Sequence, residues 1–140
     1  MREILYRGKA TNRKAGCFYR TKYENGDWVY GLITDTKNYA GNAEMTNEQG
    51  VQRIEVDKKT VGRFTGLKDK NRKKIFEGDI IKNSFKSGDA EYFVVKWNNA
   101  YCRFELEGIK IKECICLCSR PFSQVAGNIY DNPELLGVSE

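Results

Sequence analysis

Three cysteines spaced two apart, Cys114, Cys116 and Cys118, are the residues whose type and spacing first invite a chemical reading. Thiolates bind metal and act as nucleophiles. On a strand, residues two apart stand about 6.6 Å from each other on one face. Tetrahedral zinc, with Zn–S near ~2.3 Å, wants its sulfurs about 3.8 Å apart. The spacing therefore suits packing against an apolar surface better than metal binding, and no metal or other cofactor is expected. The chain has no His, so the commonest general base and nucleophile activator is missing. Catalysis is not expected. Five cysteines in a chain whose first residues, MREILYRGK, lack an apolar leader read as reduced thiols in a cytoplasmic setting.

Glu77 and Asp79 flank Gly78 and form a possible carboxylate pair. Two residues apart at a turn, such groups more often accept backbone N–H bonds or face water. The basic run Lys68, Lys70, Arg72, Lys73 and Lys74 is a stronger signal. On one hairpin tip it makes a positive knob that suits phosphate contacts without sequence preference. Phe76 or Tyr6 beside it would supply a stacking surface. The plainer reading is a solvated turn whose lysines guard a strand edge. Charge is also uneven along the chain. Residues 1–75 hold 17 Lys and Arg against 9 Asp and Glu, and residues 76–140 hold 7 against 10. That asymmetry fits nucleic acid, an acidic protein or head-to-tail self-association.

Those groups must be positioned by short strands. Aromatics at 12%, 13 glycines and only two prolines suit a β protein. Ile4-Leu5-Tyr6 reads as a first strand ending at Gly8. Residues 17–23 and 28–33 alternate around Asn25-Gly26, the strongest short hairpin signal in the chain. Tyr19, Tyr23, Trp28 and Tyr30 exceed what one two-stranded hairpin buries, which marks them as candidate self-association residues. Residues 34–50 lack periodicity and read as a surface loop, or a loop with one helical turn. Gln52 to Val56 is a short strand, and Asp69-Lys70-Asn71-Arg72 is a turn. Beyond Gly78 come strands at Ile80-Ile81, Glu91 to Trp97, Tyr101 to Glu107, Ile109 to Cys118 and Phe122 to Tyr130. In the third, Cys102, Phe104 and Leu106 are expected inside and Arg103, Glu105 and Glu107 outside. Asn132-Pro133-Glu134 opens a short helical turn. No apolar run approaches 18 residues, so no membrane span is expected.

Four blocks, REILYRGK at the start, DWVYG at 27–31, TGLKDKN…KKIFEGDII from Thr65 and VAGNIYDNPELL at 125–136, occur in an order that resembles the YopX-like family of small phage and prophage proteins. The resemblance implies a phage or prophage origin, the cytoplasm of a host bacterial cell, and a small β module followed by an SH3-like barrel. It implies no biochemical activity. Family members often read Asn-Gly where this chain has Asn71-Arg72, a departure that weakens the case for a two-residue type I′ turn there. The segment from Ala10 to Tyr23 also reads as longer than usual.

The whole reads as a mainly β chain with little helix. An N-terminal module spans 1–64, and an SH3-like small barrel with a short helical tail spans 65–140. The expected role is non-enzymatic and works by binding. The partner is nucleic acid, an acidic protein or further copies of the chain.

Overall fold

A computed structural model describes residues 4–11, 26–36, 41–47, 53–84, 90–109, 114–116 and 123–137. Tyr19, Tyr23, Asn25 and Cys118 lie outside them, as does the expected strand 17–23. The chain is mainly β, built from antiparallel pairs. It divides into two units, Met1–Arg63 and Phe64–Glu140.

The first unit contains β1 (Tyr6–Lys9), β2 (Trp28–Gly31), β3 (Ile33–Asp35), β4 (Ala43–Thr46) and β5 (Arg53–Val56). On β2, Val29 is buried while Trp28 and Tyr30 point the other way, the period-two alternation expected of a half-buried strand. β1 pairs with β2, placing Lys9 opposite Trp28 and Arg7 opposite Tyr30. β4 pairs with β3 and β5, and Ala10 bridges to Val56. Ala10, Val29, Ala43, Met45, Ile54 and Val56 form the buried cluster, with Tyr6, Ile33 and Val61 packed against it. Each of the larger side chains stabilises the unit by roughly 1.5–3 kcal/mol through burial. A 3-10 turn, Lys58–Thr60, begins where the Asp57 carboxylate accepts the Lys59 N–H at 3.0 Å. The Thr60 hydroxyl then accepts the Lys9 N–H at 2.9 Å, tying the turn to β1.

The division between units falls inside β6 (Gly62–Lys68). The second unit adds β7 (Lys74–Phe76), β8 (Asp79–Ser84), β9 (Ala90–Asn98), β10 (Arg103–Gly108), β11 (Cys114–Cys116) and β12 (Ser123–Asn128). Five of these make one sheet in the order β11-β10-β9-β8-β12. No pairing joins β11 to β12 among the described residues, so the pairings leave the sheet open where closure into an SH3-like barrel was expected. Ile75, Ile81, Phe93, Val95 and Leu106 form its buried cluster. Gly78 has φ of 86° and donates its N–H to the Val95 carbonyl at 2.9 Å. A side chain there would also meet the Tyr130 ring at 3.2 Å.

Several expectations need correction. Residues 34–50 are not all loop: Asp35 ends β3, and β4 places Ala43 and Met45 in the core. The Ala-Glu-Met-Thr pattern alternates, but Ala and Glu are weak strand formers. Gly8 lies inside β1 instead of ending it, and a Cβ on it would stand 3.0 Å from the Val56 side chain. Cys102 is exposed, since the turn between β9 and β10 runs on to it and gives it φ of 50°. Glu105 is buried, because its carboxylate accepts from the Asn98 amide and faces Arg103.

Gly31 is tightly enclosed. An ideal Cβ on it would lie 1.8 Å from the Thr46 carbonyl oxygen, a backbone atom that has little room to yield. Gly26 has φ of 91° but open space around it. Gly31→Ala is therefore expected to cost about 3 kcal/mol or more, and Gly26→Ala only about 1 kcal/mol of left-handed strain. Urea unfolding of both variants measures this, and equal midpoints would show that the β2–β4 approach has been misjudged.

Candidate functional site

The basic run sits on the hairpin of β6 and β7. The Asp69 N–H donates to the Lys73 carbonyl at 2.8 Å, and the Arg72 N–H donates to the Asp69 carbonyl at 3.0 Å. These bonds close a three-residue loop, Lys70-Asn71-Arg72, with Arg72 left-handed at φ of 65°. Asn71 is not left-handed, so the turn is the three-residue kind that ends in a left-handed residue and not type I′. Below the loop, the Thr65 hydroxyl donates to the Ile75 carbonyl at 2.8 Å and accepts the Leu67 N–H at 3.2 Å.

Asp69 fixes the loop from inside. One carboxylate oxygen accepts the Asn71 N–H at 2.8 Å and the Lys73 N–H at 2.9 Å. The other accepts the Val125 N–H of β12 at 2.9 Å. The residue is only 8% exposed. Burial pushes the carboxyl up, but the N–H donors of Val125, Lys73 and Asn71, helped by the Lys73 charge, outweigh it and hold the group below its ordinary value of 3.8.

Around this buried anion stand the cations. Lys68, Lys70, Arg72 and Lys73 are exposed. Lys68, Lys70 and Arg72 make no ion pair among the described residues. Lys74 is half-buried, its ammonium 5.5 Å from the Phe64 ring centroid. The structure thus brings all five residues to one hairpin, four of them exposed. Phe76 gives no stacking surface: it is 3% exposed, packed on Phe64 at 5.6 Å between centroids. Tyr6 is half-buried against the first unit's core.

Asp79 is 1% exposed and accepts the Phe76 N–H at 2.8 Å, so it caps the turn at Gly78. That gives it a backbone role. Trp28 and Tyr30 share the outer face of β2. The Trp28 ring lies 4.6 Å from the Arg7 guanidinium and 5.4 Å from the Lys9 ammonium. Cys114 and Cys116 lie on β11, at register positions opposite Glu107 and Glu105. Sequence reasoning assigned Asp69 only a turn propensity. The reach to Val125, 56 residues away, has no local signal.

Two outcomes follow from this geometry. Asp69→Asn is expected to cost about 1–3 kcal/mol at neutral pH, because N–H donors lose their anionic acceptor. With a depressed folded value, the Asp69 contribution is complete above the ordinary carboxylate range and disappears as pH falls through the folded value. Melting of the two proteins should therefore converge below about pH 4, and a gap that persists undiminished to pH 2 would contradict the assignment. Arg72→Gly is expected to stabilise by about 0.5–1 kcal/mol, since glycine relieves left-handed strain larger than its own entropic cost. A lowered melting temperature would show that the Arg72 side chain contributes to the fold.

A family model described as YopX protein matches residues 16–137, nearly the whole chain. No curated protein matches the sequence.

Proposed function

The chain belongs to the YopX family, and we propose that it is a phage- or prophage-encoded accessory protein that acts by binding nucleic acid through the β6–β7 hairpin. One observation supports this reading above the others: four exposed cations, Lys68, Lys70, Arg72 and Lys73, on a hairpin whose loop a buried carboxylate locks in place. A solvated turn needs no such anchoring. Fixed loops lose less conformational entropy on binding, so more of the Coulomb attraction remains as affinity. The contacts are to phosphates, which carry no sequence information. Phe76 is buried in the core, so the hairpin tip reads charge and not bases. Among the described residues, no helix is long and apolar enough to cross a membrane.

Non-specific binding of this kind runs at about 10⁻⁴ to 10⁻⁶ M at physiological salt. The wild-type protein is expected to bind duplex DNA with an affinity that falls linearly on a log–log salt plot. Changing Lys68, Lys70 and Lys73 to Ser together with Arg72→Gly should flatten that slope by roughly three to four units, since each neutralised phosphate adds about 0.9 to its magnitude. The melting temperature should stay within a few degrees, because all four side chains are exposed. Absence of wild-type binding at low salt, where attraction is strongest, would end the nucleic-acid reading.

A further inference from the structure

The turn between β9 and β10 presents an aromatic ring as deliberately as the basic hairpin presents its charges. Tyr101 is 69% exposed. The Arg103 guanidinium lies over its ring, 4.9 Å from the centroid. The backbone beneath is fixed. The Asn98 side-chain oxygen accepts the Ala100 N–H at 2.8 Å and the Tyr101 N–H at 3.2 Å. The Asn99 side-chain oxygen accepts the Trp97 indole N–H at 2.7 Å. Trp97 is itself set edge-on against Phe104, at 4.9 Å between centroids. Arg103 is oriented from behind by Glu105, its Nε 3.4 Å from the carboxylate. Among the described residues only two non-glycine residues have positive φ, Arg72 in the basic loop and Cys102 beside Tyr101. Such outliers persist where the surroundings impose them, and they concentrate at binding and switching sites.

We infer that Tyr101, with Arg103, is a stacking platform for an unpaired nucleobase, so that the second unit prefers single-stranded to duplex nucleic acid. The inference rests on the nucleic-acid reading of the hairpin and adds the form of nucleic acid it takes. One face of the ring carries Arg103; the opposite face takes the base. Base–aromatic stacking tolerates any sequence, because every base has a π-face. A duplex hides those faces inside its stack, whereas a single strand offers them. The sheet register supplies the spacing. Asp69 anchors the hairpin at Val125, which pairs with Ile81, which pairs with Phe93. Phe93 lies five residues before Asn98 on β9. That is roughly 17 Å along the strands and about 10 Å across two strand spacings. A few nucleotides of extended strand cover the distance, within the span of about 4–16 nucleotides that single-strand sites occupy.

Fluorescence anisotropy with an oligothymidine of about 12 nucleotides, and with a duplex of equal length, tests this on the full chain at low salt. Tyr101→Ala is expected to weaken single-strand binding by roughly five- to hundredfold, to leave duplex affinity within twofold, and to leave the salt slope unchanged. Tyr101→Trp should retain or tighten single-strand binding, which separates the ring from the hydroxyl. Unchanged melting temperature in both variants shows that the turn is intact. Unaltered single-strand affinity in Tyr101→Ala, with the salt slope still flattened by the hairpin changes, overturns the platform and leaves the hairpin reading standing. An unaltered single-strand affinity accompanied by a lower solution mass would mean that Tyr101 docks on protein, and overturns it equally. If the wild type binds neither nucleic acid, both readings fail.

Discussion

The Asp69 carboxylate is the interaction on which the hairpin and its presentation of charge depend. A buried carboxylate without partners is costly, and this one is tolerated because three backbone N–H groups converge on it. Two come from its own hairpin and one from β12, so a single side chain fixes both the loop's shape and its attachment to the sheet. Charge-assisted bonds to a carboxylate are roughly twice as strong as neutral ones. The arrangement also tempers the repulsion among Lys68, Lys70, Arg72 and Lys73, because their positive charges surround a buried negative one. A neutral cap would shape the loop but would not offset that repulsion.

The second unit repeats this device elsewhere. Asp79 caps the Phe76 N–H from a site with almost no water contact, next to the left-handed Gly78. Asn128 accepts the Tyr130 N–H at 3.0 Å and the Asp131 N–H at 2.8 Å, and its own N–H goes to the Asn132 side chain. Asn98 does the same for the β9–β10 turn. Polar side chains satisfying backbone donors thus hold the turns, while Ile75, Ile81, Phe93, Val95 and Leu106 hold the strands together. Asp69, Asp79 and Asn128 fall within the segments KDKN, FEGDII and GNIYDN that carry the resemblance to the YopX-like family.

That division of labour explains what was legible in the sequence. The alternation along β9 and β10 marks Phe93, Val95 and Leu106 as core, because a buried face leaves a period-two trace. The basic run is legible as composition, and its placement on a turn follows from Asp and Asn chemistry. The bond from Asp69 to Val125 is not legible, since nothing local links residues so far apart. The same holds for Phe76, whose burial depends on Phe64 across the hairpin, and for Glu105, whose place depends on Asn98 of the neighbouring strand. β4 escaped because its Ala43 and Met45 owe their burial to Ile54 and Val56, not to any strand propensity of their own.

At Arg72 the backbone is left-handed, a conformation in which an L side chain is strained and glycine is not. For stability alone the position favours glycine, and the residue present is an exposed cation. That side chain makes no ion pair among the described residues. A stability cost borne by an exposed charge, on a loop pinned by a buried carboxylate, is the pattern expected when the charge serves a partner outside the chain. Cys102 bears the same kind of cost in the turn that exposes Tyr101. Both non-glycine residues with positive φ among the described residues therefore sit in the two turns that present unpaired charge or unburied aromatic surface. A fold selected only for stability has no reason to place them there together.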